Sequence, residues 1–217
     1  MSLRRVLLSL TAGAAGLYAV ALLAVSVTSD HVVLGFDQPK RFCGLYLDCH
    51  RMVEVSGVET AHVLVSGPDM LHTDGRFHIV SLRYRSDAVR AVLRMGPLAA
   101  TVYDADGRSY GRDPAAERLL GGTAGLVDLR IPAGGSVTTR IVFDLPADAV
   151  DPQLYVRDAH PVSRLTELLL IGDEDSFLHR RTLFALSGKP RPHAAGHRYD
   201  RARDVEELLG RRIVLRL

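Results

Sequence analysis

The chain has 217 residues, of which 47% are hydrophobic and 24% charged, and it contains no tryptophan. That balance excludes a disordered or collagen-like polymer and leaves room for one sizeable core. Of the formal net charge of +2, Arg4 and Arg5 supply +2 and Asp30 supplies −1, so the body from His31 onward carries +1. A nearly neutral body lacks the basic surface that phosphate neutralisation requires, and no nucleic-acid partner is expected.

Residues 1–29 carry the strongest pattern. No charged residue occurs from Val6 to Ser29, and Leu7, Leu8, Leu10, Leu17, Val20, Leu22, Leu23, Val25 and Val27 fill the stretch. A helix rising ~1.5 Å per residue needs roughly 20 residues to cross a hydrocarbon core of ~30 Å. A short cytoplasmic stub and one transmembrane signal anchor are therefore expected here. Arg4 and Arg5 precede the stretch and Asp30 and His31 follow it. The positive-inside rule then keeps the N-terminus in the cytoplasm and exports the body. The rival reading is a cleaved signal peptide with Ala24-Val25-Ser26 as its site, which would secrete the body. The apolar run exceeds the ~7–15 residues usual for a signal-peptide core, which favours the anchor.

Residues 30–50 read as a juxtamembrane connector with a cysteine loop. Cys43 and Cys49 are the chain's two cysteines, with His50 beside the second. In an oxidising compartment the pair reads as a disulfide closing a small loop, a restraint of at most ~2–3 kcal/mol on the unfolded chain. Cys43, Cys49 and His50 are alternatively a thiolate and imidazole donor set for Cu(I) or Zn(II). That set lacks a clear fourth ligand, and its spacing is not the C-x₂₋₄-C of a zinc ribbon.

Residues 51–158 are expected to form an antiparallel β-sandwich. Met52–Val58 and His62–Val65 are rich in β-branched residues, and Arg76–Ser86 alternates with Phe77, Ile79 and Ser81 on one face and His78, Val80, Leu82 and Tyr84 on the other. A strand apolar on much of both faces suits the middle of a sheet. Leu98–Tyr103 leads through Asp106-Gly107 into Ser109-Tyr110, and Leu126–Ile131 and Ser136–Leu145 flank Pro132-Ala133-Gly134-Gly135. Gln153–Arg157 closes the series. Asp113-Pro114, followed by helix formers to Leu120, predicts a short capped helix. Strands punctuated by Gly, Pro and Asp, without alternating long helices, argue against a parallel sheet. Residues 159–217 are expected to be a C-terminal extension packed on the sandwich, with a helix at Val205–Leu209 and a strand at Arg212–Leu217.

Three segments in order resemble the telokin-like, immunoglobulin-type domain of bacterial exported proteins. Gly75 to Ser86 is similar to its G-x-F-x-x-V-x-x-x-x-x-N/S strand, Val102 to Tyr110 to its L-x-D-x-x-G-x-x-Y hairpin, and Ile131 to Pro146 to its L-x-P-G-x-x-x-x-x-x-V-F-D-V-P segment. The resemblance spans Met52 to Arg157, about half of the chain. It implies an exported immunoglobulin-like sandwich, usually lipid-anchored or membrane-tethered and generally without assigned catalysis, and supplies no active-site residues. The Cys43–His50 segment and the tail beyond Asp158 lie outside the family pattern.

Other polar clusters are weaker. Asp173, Glu174 and Asp175 lack the spacing of a calcium loop, and Ser176 and His179 lack a nucleophile elbow, so a turn is expected. His193 and His197 follow a proline-rich loop rather than lying on a helix. Asp104, Asp106 and Asp113 suit turns and caps better than a catalytic carboxylate pair. The sequence thus describes a non-enzymatic binding or interaction module without a cofactor. It is held in the membrane by its N-terminal helix, and an envelope protein is its expected partner. Metal handling through Cys43, Cys49 and His50 is the alternative.

Overall fold

The computed structural model describes residues 3–28, 31–42, 50–96, 98–121, 129–159 and 182–187. Helix α1, Leu3–Thr28, takes up the uncharged N-terminal stretch. Its Leu7, Leu8, Leu10, Leu17, Val20 and Leu23 are all more than half exposed. Among the described residues, no helix is long and apolar enough to cross a membrane.

Two sheets face each other. The first has the order β1-β11-β10-β6-β7 and the second β2-β3-β4-β9. Their strands are β1 (Val32–Leu34), β2 (Lys40–Phe42), β3 (Arg51–Ser66), β4 (Asp69–Ser86), β6 (Leu98–Tyr103), β7 (Ser109–Tyr110), β9 (Ser136–Leu145), β10 (Gln153–Asp158) and β11 (Thr182–Ala185). β5 (Leu93–Met95) and β8 (Leu129–Ile131) form a separate antiparallel pair. The sheets take in strands from both flanks of residues 51–158: β1 and β2 precede them, and β11 follows. β1 pairs with β11 in parallel, Val32 opposite Thr182.

β4 lies between β3 and β9, the central place that its two apolar faces require. Val80, Leu82 and Tyr84 point into the sandwich and meet Val53 and Val55 of β3, Ile141, Phe143 and Leu145 of β9, and Ala100, Val102, Leu154, Val156 and Phe184 of the opposite sheet. Each large apolar side chain buried there contributes ~1.5–3 kcal/mol. Phe77 and Ile79 point the other way. There they form a second, smaller cluster with Leu64, Val142 and Ala116.

Ala116 belongs to helix α2, Pro114–Leu119, which closes that outer cluster. Asp113 caps the helix by accepting from the amides of Ala115 and Ala116. Gly75, first residue of the G-x-F strand, has a steric reason to be glycine. A Cβ there would lie inside the backbone carbonyl of Leu145, where β9 crosses it. The expected break between Val58 and His62 is absent. β3 runs through it, absorbing irregularities between Val55 and Gly57 and between Ala61 and Val63.

Candidate functional site

Of the residues singled out from sequence, His50 is described, whereas Cys43 and Cys49 lie outside the described residues. His50 immediately precedes β3 and Asp87 immediately follows β4. The Asp87 amide donates to the His50 carbonyl at 3.2 Å, extending the β3–β4 ladder by one step. Their side chains meet as well: His50 Nδ1 lies 2.6 Å from Asp87 Oδ1. Arg41, on edge strand β2, donates from Nη1 to the other carboxylate oxygen at 2.8 Å. The hydrogen bond from Arg41 and then that with His50 hold the Asp87 carboxyl below the ordinary carboxylate range. The carboxylate holds the ring through Nδ1. The whole cluster is solvated, with side-chain exposures of 50% for Arg41, 53% for His50 and 38% for Asp87.

The other polar clusters are structural locks. Asp104 Oδ1 accepts from the amides of Asp106 and Arg108, and Oδ2 accepts from the Tyr110 hydroxyl at 2.9 Å and from Arg108 Nε at 2.6 Å. Arg108 then reaches Asp148, at 2.8 Å, and so ties the β6–β7 turn to the loop after β9. Burial pushes the Asp104 carboxyl up, but the Tyr110 hydroxyl and the Arg108 amide and guanidinium outweigh it and hold the carboxyl low. The Tyr110 hydroxyl is pushed up to about 12 by desolvation and by its bond to Asp104.

Glu117 is almost wholly buried on α2. It accepts a fork of hydrogen bonds from Arg112, Nε to Oε1 at 2.8 Å, and also accepts the Val142 amide at 3.2 Å. In the sandwich interior, Lys40 is fully buried. Its Nζ donates to the Val156 carbonyl at 2.9 Å and sits 5.2 Å and 5.1 Å from the Phe42 and Tyr155 ring centres. A cation between two rings is a packing device that joins the sheets.

Asp104 and Asp113 are thus a turn anchor and a helix cap, each engaged by backbone amides rather than paired as acid and base. Asp173, Glu174, Asp175, Ser176, His179, His193 and His197 lie outside the described residues, as do the helix and strand expected after residue 200. Among the described residues, no three His, Cys, Asp or Glu side chains converge to hold a metal ion. Sequence reasoning missed Asp87 as the partner of His50 and Arg41 as the second partner of Asp87. Their separations from Asp87, 46 residues for Arg41 and 37 for His50, leave no local signal.

Two facing sheets, mostly antiparallel, with few helices define a β-sandwich protein. No family model matches the chain, and no curated protein matches it. Among solved structures it is similar to MPT63, a secreted protein of Mycobacterium tuberculosis, with a TM-score of 0.43 and 12% identity over 71% of this chain and 97% of that one. It is also similar to an uncharacterized β-sandwich protein of Clostridium difficile 630, with a TM-score of 0.40 and 7% identity over 73% of this chain and 95% of that one.

Proposed function

We propose that this chain is a membrane-tethered, extracytoplasmic binding or interaction module of the cell envelope, built on an immunoglobulin-like sandwich of the telokin-like kind. The observation that carries the reading is the uncharged stretch from Val6 to Ser29 that follows Arg4 and Arg5, nearly all of which lies in α1. In α1, Leu7, Leu8, Leu10, Leu17, Val20 and Leu23 are exposed to whatever surrounds the helix. Exposed apolar side chains on many sides of a helix are stable in lipid and costly in water. Arg4 and Arg5 at its start favour a cytoplasmic N-terminus and an exported body. The locked turns support a rigid scaffold rather than a catalytic centre.

Protease added to spheroplasts is expected to digest the body while leaving cytoplasmic proteins intact. A reporter fused after Leu217 that is active only in the cytoplasm would overturn the topology.

A second reading, metal handling by Cys43, Cys49 and His50, is favoured by the His50–Asp87 contact. Metal-ligating histidines commonly rest their second nitrogen on a carboxylate in this way. Mass spectrometry of unreduced peptides separates the two readings: a Cys43–Cys49 crosslink supports the disulfide, and free thiols with stoichiometric copper or zinc support the metal centre.

A further inference from the structure

The far end of the β3–β4 hairpin has two unlike faces. One carries Leu64, packed into the outer cluster with Phe77 and Ala116, and Leu71, packed against it. The other carries Val63 and Val65, opposite His72 and Met70 respectively in the strand register. Cross-strand partners share a face, so these four side chains form one patch. The patch is open to solvent, with Met70 and Val65 each 59% exposed. Met70 and His72 are two residues apart on β4, the spacing that aligns side chains on one side of a strand. His72 Nε2 lies 2.8 Å from Met70 Sδ.

We propose that Met70 and His72 form an exchangeable site for a soft monovalent cation of the Cu(I) or Ag(I) class. A thioether and an imidazole are the donors that such ions prefer. Neither donor is a carboxylate, and the two valines beside them add no ligand, so the donors themselves bring no anionic charge to a divalent ion. Zinc favours four ligands, and calcium and magnesium favour oxygen donors. Turning either exposed side chain about χ1 opens the gap between sulfur and ring nitrogen. Two protein donors leave further positions on the ion open, as handover to another ligand requires. The hairpin is held from behind by Leu64 and Leu71, so the donors stand on a fixed support. The inference concerns residues remote in sequence from Cys43, Cys49 and His50 and does not depend on the membrane topology.

The test is Ag(I) titration of the full chain in detergent micelles, followed through the methionine methyl resonances. Met52 and Met95 are buried at 6% and 1% exposure and serve as internal references. The Met70 methyl is expected to shift and saturate while these two stay fixed. In His72→Gln the Ag(I) concentration needed is expected to rise at least about tenfold, the loss of one of two donors. Zn(II) is expected to leave the Met70 methyl in place. A Met70 methyl that does not move with excess Ag(I), that moves identically in His72→Gln, or that responds equally to Zn(II) overturns the proposal.

Discussion

Glu117 and Asp87 are both carboxylates that hold an arginine beside the four-stranded sheet, and their surroundings could hardly differ more. The Glu117 side chain is 1% exposed, and its arginine, Arg112, is 20% exposed. The Asp87 side chain is 38% exposed and Arg41 50%. Glu117 also takes the Val142 amide on edge strand β9, so it satisfies a backbone group as well as a charge. Asp87 bridges two side chains that water can serve almost as well. Identical chemistry thus seals a sheet edge in one place and merely orients a histidine in the other. Burial decides which role a carboxylate plays, because desolvation makes a lost partner costly only where water cannot replace it.

The largest effect is expected from Glu117→Ala. It leaves the Arg112 guanidinium and the Val142 amide unpaired at a buried site, and a loss of about 3–5 kcal/mol is expected in urea denaturation. A change below about 1 kcal/mol would place Glu117 with the exposed ion pairs and erase the contrast.

Asp104→Asn falls between the extremes, with an expected loss of about 1–3 kcal/mol at pH 7 from the weakened charge-assisted bonds. Its pH dependence sharpens the comparison. The folded Asp104 carboxyl titrates below its unfolded value of about 3.9. Its contribution is therefore complete above that value and is lost as pH falls through the lower, folded one. The gap between wild type and Asp104→Asn is expected to be constant from pH 7 to pH 5 and to close in stronger acid. A gap that persists unchanged to pH 2 would rule out the ionised carboxylate as its source.

Asp87→Ala is expected to cost less than about 1 kcal/mol, as exposed ion pairs do. Its visible effect is on the ring of His50, whose nitrogen resonances should report the loss of the Nδ1 contact. An unchanged His50 spectrum would show that Asp87 does not orient the ring.

The body of the fold was legible where local chemistry punctuates it. Ser136–Leu145 emerges from a Gly-Gly turn and ends at a proline, and β9 has those same limits. Asp113-Pro114 announces α2 because cap and first helical residue are adjacent in sequence. β1, β2 and β11 were not legible: each is three or four residues long, and β1 and β11 owe their existence to each other across the chain. The run from Glu59 to Ala61 looked like a break because its side chains are polar or small. Their backbone nevertheless stays paired with Phe77, His78 and Ile79. The candidate site divides in the same way. His50 stands out beside a cysteine, but Asp87 and Arg41 reach it only through the pairing of β2, β3 and β4.

The parallel β1–β11 pair has a consequence for the order in which the chain assembles. Val32 leaves the ribosome early, and its partner Thr182 follows about 150 residues later. In the described sheet β1 has β11 as its neighbour, so it stays unzipped until nearly all of the sandwich strands have been made. Closing so long a loop costs only a little more entropy than closing a short one, but it is slow. Once β10 has been made, its outer edge is open to other strands until β11 follows, and that edge is where a chain halted between the two would first pair wrongly.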